Sequence, residues 1–342
     1  MSGSSNLGMH VDHGIEEDPE KLAEFQATID ARTLIEPDDW MPAAYRTGML
    51  RMAEHHANSE IIGALPEGEW ITHAPSLRRK LALTAKVQDE IGHGQMLYRV
   101  SQDLGKSRDQ MLRDLITGRT KYHNVFNYPA PTWGDIAMIQ WLIDGAAIMN
   151  QKTLADGAYG PYVRTMKRIN MEEAFHFKSG EDMVLTLMTG TSSQRAMGQE
   201  AFDRWWYPSI MFHGPPDKPN TLQSPAMRWR MKTETNDSLR RRFVNRFAPA
   251  ALDLGLKIHV VTKDADGMVT SRKPDEKLRL NPDSGDWEFT EPDWEEFFRV
   301  IRGNGPCNKK RLALRRLSYV QGRWVRNAIL HGSTALPNGG GR

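Results

Sequence analysis

Two glutamates in this chain each stand three residues before a histidine: Glu90 with His93 in K-V-Q-D-E-I-G-H, and Glu173 with His176 in E-E-A-F-H. No other feature constrains the fold as much. Residues three apart on an α-helix share a face, so each pair can present a carboxylate and an imidazole to the same metal ion. A lone acid precedes each pair at almost the same interval, Glu60 by 30 residues (60 to 90) and Asp144 by 29 (144 to 173). That interval is about one helical hairpin. Two half-sites repeated at this spacing are what a four-helix bundle with a dinuclear centre requires. Glu60, Glu90, His93, Asp144, Glu173 and His176 are therefore the expected metal ligands.

Hydrophobic periodicity supplies the helices. A first long helix is expected from about Met41 to Leu65, started by Asp38 or Asp39 and stopped at L-P-E-G, with Met49, Met52, Ala53, His56, Glu60 and Gly63 on one face. A second is opened by A-P-S at 74 to 76 and runs to about Leu104, its face carrying Leu83, Lys86, Glu90, His93 and Leu97. A long polar and aromatic connection from Asp114 to Pro129 suits the crossover between two hairpins. The third helix, Trp133 to Asp156, is apolar nearly all round, which buries Asp144 with it and calls for metal or a strong ion pair. The fourth runs from Pro161 to Met188.

A single Glu-x-x-His pair is weak evidence, since 11 histidines make a chance pair unremarkable. The repeat, its apolar setting and the matched upstream acids carry the argument. Lys86, one turn before Glu90, either balances the charge of the acids or has a direct catalytic role. His55 and His56 have no glutamate three residues earlier and are read as non-ligands. Asp89 and Glu172 adjoin ligands a quarter turn away, open either to hydrogen-bonding them or to facing solvent.

Composition then narrows the class. A chain of 342 residues, 39% hydrophobic and 26% charged, can bury a large core, and its net charge of +2 gives no support to nucleic-acid or membrane-surface binding. One cysteine, Cys307, forms no internal disulfide and fits a reducing, cytoplasmic setting. No apolar run of membrane-spanning length is present. Residues 1–34 read as a flexible leader, including His10 and His13, with a short helix from Pro19; 35–190 as the bundle; 191–335 as a helical extension; 336–342 as a disordered tail. Within the extension a helix should end at W-W-Y-P, and A-M-R-W to R-R-R-F should be helical, with Lys232 and Asn236 one turn apart. Residues 256–290 should form a small β excursion; D-A-D-G there lacks the twelfth-position glutamate of a calcium loop. Helices from about Asp293 to Arg302 and Lys309 to His331 should follow. Trp205, Trp206, Trp229, Trp324 and Arg240 to Arg242 are expected at an exposed interface, the alternatives being a place in the core for each aromatic and a solvated charge run for the arginines.

The stretches S-E-I-I-G-A-L-P-E-G-E-W-I-T, A-K-V-Q-D-E-I-G-H-G, F-N-Y-P, W-L-I-D-G-A-A-I-M-N-Q and E-E-A-F-H resemble the catalytic A subunits of ring-1,2-phenylacetyl-CoA epoxidases, a family of bacterial ferritin-like di-iron multicomponent monooxygenases. The resemblance runs from about Ile35 through G-P-C-N and R-W-V-R, most of the chain. It implies an all-α, ferritin-like four-helix bundle holding two iron ions and using O2, with Glu60, Glu90, Asp144 and Lys86 in catalytic roles. It also supports Arg51, Lys121, Lys232 and Asn236 as contacts for the CoA part of phenylacetyl-CoA, where the sequence alone shows suitable donors. The family uses Asp at the position of Asp144, where many di-iron bundles have Glu. The chain has no G-x-G-x-x-G fingerprint and no cysteine cluster, so the NADPH, flavin and iron-sulfur sites are expected on a separate reductase. A small accessory subunit together with a ferritin-like sister subunit completes the implied hetero-oligomer. The competing readings are a di-iron oxygenase on another acyl-CoA, an iron-storage or ribonucleotide-reductase-like bundle, and a non-catalytic scaffold subunit.

Overall fold

The computed structural model describes residues 18–325. Among these residues the fold is all-α apart from two small antiparallel strand pairs. A short helix α1 (Pro19–Asp30) leads into α2 (Ala43–Trp70) and α3 (Leu77–Asp103), which pack along each other as the first hairpin. Helix α4 (Arg108–Ile116) lies in the crossover. The second hairpin pairs a composite helix α5, residues 133–155, with α6 (Gly160–Met188). The extension adds α7 (Ser192–Met211), α8 (Asn236–Asp253), α9 (Trp294–Arg299) and α10 (Asn308–Gln321).

Side-chain caps explain most of the starts. Ser76 accepts from the Arg79 amide to open α3, and Ser107 does the same from Gln110 for α4. Thr132 with Asp135 and Thr191 with Gln194 form capping boxes for α5 and α7. Helix α2 departs from this rule: Pro42 stands at its cap, and Asp39 instead accepts from the Glu36 amide in the preceding turn. The helix also continues through Pro66 to Trp70 instead of stopping at L-P-E-G. Pro66 and Glu67 are both buried there, so packing outweighs the hydrogen bond that the proline removes.

Three other local expectations are corrected. The sequence leads one to expect no helix between Leu104 and Trp133, yet α4 stands there and buries Met111, Leu112 and Leu115. Helix α5 is not a plain α-helix: it widens to a π-type turn at Ile139–Ile143, immediately before Asp144. That wide turn fits against α6 because residue 180 is glycine; a Cβ there would stand 2.4 Å from the Gln140 carbonyl carbon. Finally, the basic stretch before α8 is a four-residue helix, Pro225–Arg228, followed by bends, so Lys232 precedes α8 and Asn236 is its first residue.

The core falls into two large apolar clusters and a small one of Ile62, Leu115 and Tyr122. Of the large ones, one is gathered around α5, α7 and α8 with the C-terminal part of α6, the other around α1, α2, α3 and the N-terminal part of α6. The first overturns part of the interface expectation. Trp205 and Trp206 are each 1% exposed, Trp206 stacked on Phe202 and Trp205 donating to Asp135. Arg240 is buried too, over the Trp294 ring, and Trp229 packs on Phe25 and Tyr45. Arg241, Arg242 and Trp324 are exposed as expected. The β excursion is β1 (His259–Lys263) with β2 (Val269–Pro274), and β3 (Arg279–Leu280) with β4 (Trp287–Glu288). The leader up to residue 17, with His10 and His13, and everything after residue 325 lie outside the described residues.

Candidate metal centre

Glu60 on α2, Glu90 and His93 on α3, Asp144 on α5, and Glu173 with His176 on α6 all turn into the interior of the bundle, buried. Single donor atoms from Glu60, Glu90, His93 and Glu173 lie within 4.8 Å of one another, as do atoms from Asp144, Glu173 and His176. Glu173 belongs to both groups. Glu90 also stands between them, 3.5 Å from His93 Nδ1 and 3.5 Å from His176 Nδ1. The six residues therefore form two half-sites joined by two carboxylates.

Both imidazoles face the cluster with Nδ1 and are held from behind through Nε2. His93 Nε2 meets Glu172 at 2.9 Å, and Glu172 is itself anchored by Arg168. His176 Nε2 meets Asp89 at 3.1 Å. Of the two readings left open for Asp89 and Glu172, the structure takes the one in which they orient the imidazoles, which sets each ring's direction and tautomer.

Lys86 lies within the acid cluster, 2.9 Å from Glu67, 3.2 Å from Asp144 and in direct contact with Glu90. Burial disfavours its charge, yet Asp144, Glu67 and Glu90 hold its pKa well above the ordinary lysine value. Its ammonium is thus in contact with three of these carboxylates and is held charged by them. Glu67, which the sequence reading passed over, is 1% exposed and also accepts from Gln140 on the wide turn at 3.3 Å. A signal was available: Glu67 stands seven residues after Glu60, two turns along the same face.

Electrostatics test whether two divalent metals fit. Glu60, Glu67, Glu90, Asp144 and Glu173 are five buried carboxylates against one ammonium, so four negative charges remain if both imidazoles are neutral. Two divalent cations cancel that excess. Without them, burial pushes the carboxyls of Asp144 and Glu173 up. Burial opposes charge on the imidazoles, but Glu60 and Glu90 hold His93 up at about 12, and Glu173 and Glu90 hold His176 at about 9. His93 Nδ1 is buried without a hydrogen bond. An oxygen-rich set with two such nitrogens suits hard or borderline first-row metals, including iron.

A cavity of about 230 Å³ opens beside the cluster. Its apolar wall includes Met52, Phe126, Ile139, Ile143, Ala147 and Leu154, and Glu60, Glu90, Asp144 and Glu173 border it. His56 bridges Glu60 at 2.9 Å and the Tyr162 hydroxyl at 2.8 Å, so it supports that carboxylate from the side. Lys232 and Asn236 line the same cavity, joined at 2.7 Å. A second pocket of about 300 Å³ shares His55, His123, Phe212, His213 and Asn236 with the first and adds Lys121. Arg51 is exposed on α2 and lines neither.

A family model described as phenylacetic acid catabolic protein matches residues 16–324. The chain is 44% identical over 306 residues to the A subunit of the 1,2-phenylacetyl-CoA epoxidase of Escherichia coli (strain K12), over 90% of this chain and 94% of that protein. No helix among the described residues is long and apolar enough to cross a membrane.

Proposed function

The chain belongs to the phenylacetic acid catabolic protein family, and from that premise we propose that it is the catalytic subunit of a di-iron monooxygenase that epoxidises the aromatic ring of phenylacetyl-CoA. The observation that carries this reading is the pair of carboxylate–imidazole half-sites sharing Glu173 and bordering an apolar cavity. A scaffold subunit has no need of six buried ligands, and a storage bundle none of the cavity.

Glu60 and His93 would hold one iron, Asp144 and His176 the other, with Glu90 and Glu173 between them. When bound, the iron pair supplies the two-electron reduction of dioxygen, so that one oxygen enters the ring and the other leaves as water. The protein's own residues do the rest. Met52, Phe126, Ile139 and Ile143 hold the phenyl ring beside the acids and keep water away from it. Lys86 keeps Glu90 ionised against the push of burial, so a ligand stays charged as metals are exchanged or reduced. Asp89 and Glu172 fix the imidazoles.

The CoA arm would leave through the adjoining pocket, where Lys232, Asn236 and Lys121 offer donors to its polar and phosphate groups, while Arg51 is suited to the exposed end. Binding this remote handle can stabilise the ring in its reacting position. The relative carries the name of one subunit of its enzyme, which supports a multi-subunit assembly. We assign this chain a small accessory protein, a ferritin-like sister subunit, and an NADPH-dependent flavin and iron-sulfur reductase, in the cytoplasm. Iron-loaded protein supplied with these components, NADPH and O2 should convert phenylacetyl-CoA to its ring 1,2-epoxide. Reductase-dependent NADPH consumption without oxygenated product would defeat the assignment.

A further inference from the structure

A third, larger cavity lies in the C-terminal extension, away from the carboxylate cluster. It measures about 650 Å³ and is bordered by β1, the approach to α9 and the first turns of α9. Four consecutive residues of β1, Val260 to Lys263, line it. Side chains alternate across a strand, so an unbroken run marks a backbone edge facing the cavity and not one face of the sheet. Among the described residues β1 belongs to a two-stranded sheet and pairs with β2 alone. An unpaired edge is a ready template for another strand.

The charges of this cavity are specific. Asp264, Glu291, Asp293, Glu295 and Glu296 line it, against Lys263 and Arg299. The register of β1 and β2 slips between Thr262 and Lys263, and such irregularities re-aim a side chain. The Lys263 side chain is 7% exposed, its ammonium lies 4.5 Å above the Tyr128 ring, and Glu296 stands 3.9 Å away. Among the described residues Lys263 Nζ has no hydrogen-bond partner. Burial pulls its pKa below the ordinary lysine value. A buried ammonium without an acceptor is costly, and this one borders an open cavity, so the geometry calls for an acceptor from outside. The surrounding acids call for cations. A simple anion would be repelled by the carboxylates, and a bare cation would leave Lys263 Nζ without an acceptor. An extended polypeptide brings carbonyl acceptors and cationic side chains together.

We propose that this trough docks an extended, arginine- or lysine-bearing segment of another subunit, which pairs with the edge of β1, gives a carbonyl to Lys263 Nζ and sets its cations against Glu291 and Glu295. This rests on the multi-subunit part of the reading above and on none of its metal chemistry. In the purified assembly, a photoreactive benzoylphenylalanine placed at Thr262, which is exposed, should cross-link to a basic segment of a different subunit, located by mass spectrometry. The double variant Glu291→Lys/Glu295→Lys should weaken assembly at least tenfold at low salt, with iron content and acyl-CoA affinity of the chain unchanged. Cross-linking to this chain's own residues 326–342, to a second copy or to nothing would overturn the proposal, as would unaltered assembly of the double variant. A failure of epoxidation with the cross-link present would instead count against the function and leave the docking site standing.

Discussion

Replacing Gly180 by alanine should damage this protein although the side chain gained is a single methyl group. Gly180 lies on α6 where the wide turn of α5 passes over it. A Cβ at that position would stand 2.4 Å from both the Gln140 carbonyl carbon and the Trp141 amide nitrogen, and 2.7 Å from the Gln140 oxygen. Every one of these is a backbone atom, so no rotamer change relieves the overlap, and the two helices must part by about 1 Å. Overpacking of this kind costs about 1–3 kcal/mol, from which the better helix propensity of alanine recovers about 1. The obstruction cannot be dodged, which puts the cost at the upper end of that range and leaves a net loss of up to about 2 kcal/mol. The displaced turn leads directly into Asp144, so iron retention should fall as well. Gly92 on α3 is the control: nothing lies within 4 Å of its would-be Cβ, and Gly92→Ala should stabilise by about 0.5–1 kcal/mol. Thermal melts followed by far-UV circular dichroism, with iron assayed per chain, read both effects. A Gly180→Ala protein as stable and as iron-replete as wild type would refute the packing argument.

Two further outcomes are expected. Glu172→Gln keeps the hydrogen-bonding shape behind His93 but removes the carboxylate charge, and metal affinity should drop about 10–100-fold with the melting temperature little changed, as a chelator competition would measure. Lys232→Ala with Lys121→Ala should lower acyl-CoA affinity by about 1–3 kcal/mol in calorimetry while iron content holds, and unchanged affinity would retire both contacts.

Some of this molecule could be read before any coordinates. The long helices of the two hairpins were legible because Glu90, His93, Glu173 and His176 lie on apolar helical faces with tight spacing, and because Ser76 and Thr132 carry recognisable caps. The wide turn at Ile139–Ile143 was not. Its cause is tertiary, the bare backbone of Gly180 on another helix, and nothing local in W-L-I-D announces it. Pro66 misled for a similar reason, since local chemistry argues for a stop and burial overrides it. Trp205 and Trp206 were misplaced because an aromatic reads alike in a core and at an interface until its neighbours are known. Among site residues, Asp89 and Glu172 were open to two readings, and only the direction of the imidazole rings decides between them. Lys232 and Asn236 are adjacent for a reason other than helical periodicity, a bend that folds one back on the other.

Iron stoichiometry tests the central claim most directly, determined by inductively coupled plasma mass spectrometry on protein loaded anaerobically with ferrous ion and then desalted. Wild type should hold two irons per chain. Glu173→Ala, which removes a carboxylate common to both half-sites, should hold fewer than one at undiminished helical content. Two irons retained by Glu173→Ala, or none bound by wild type, would contradict the dinuclear centre.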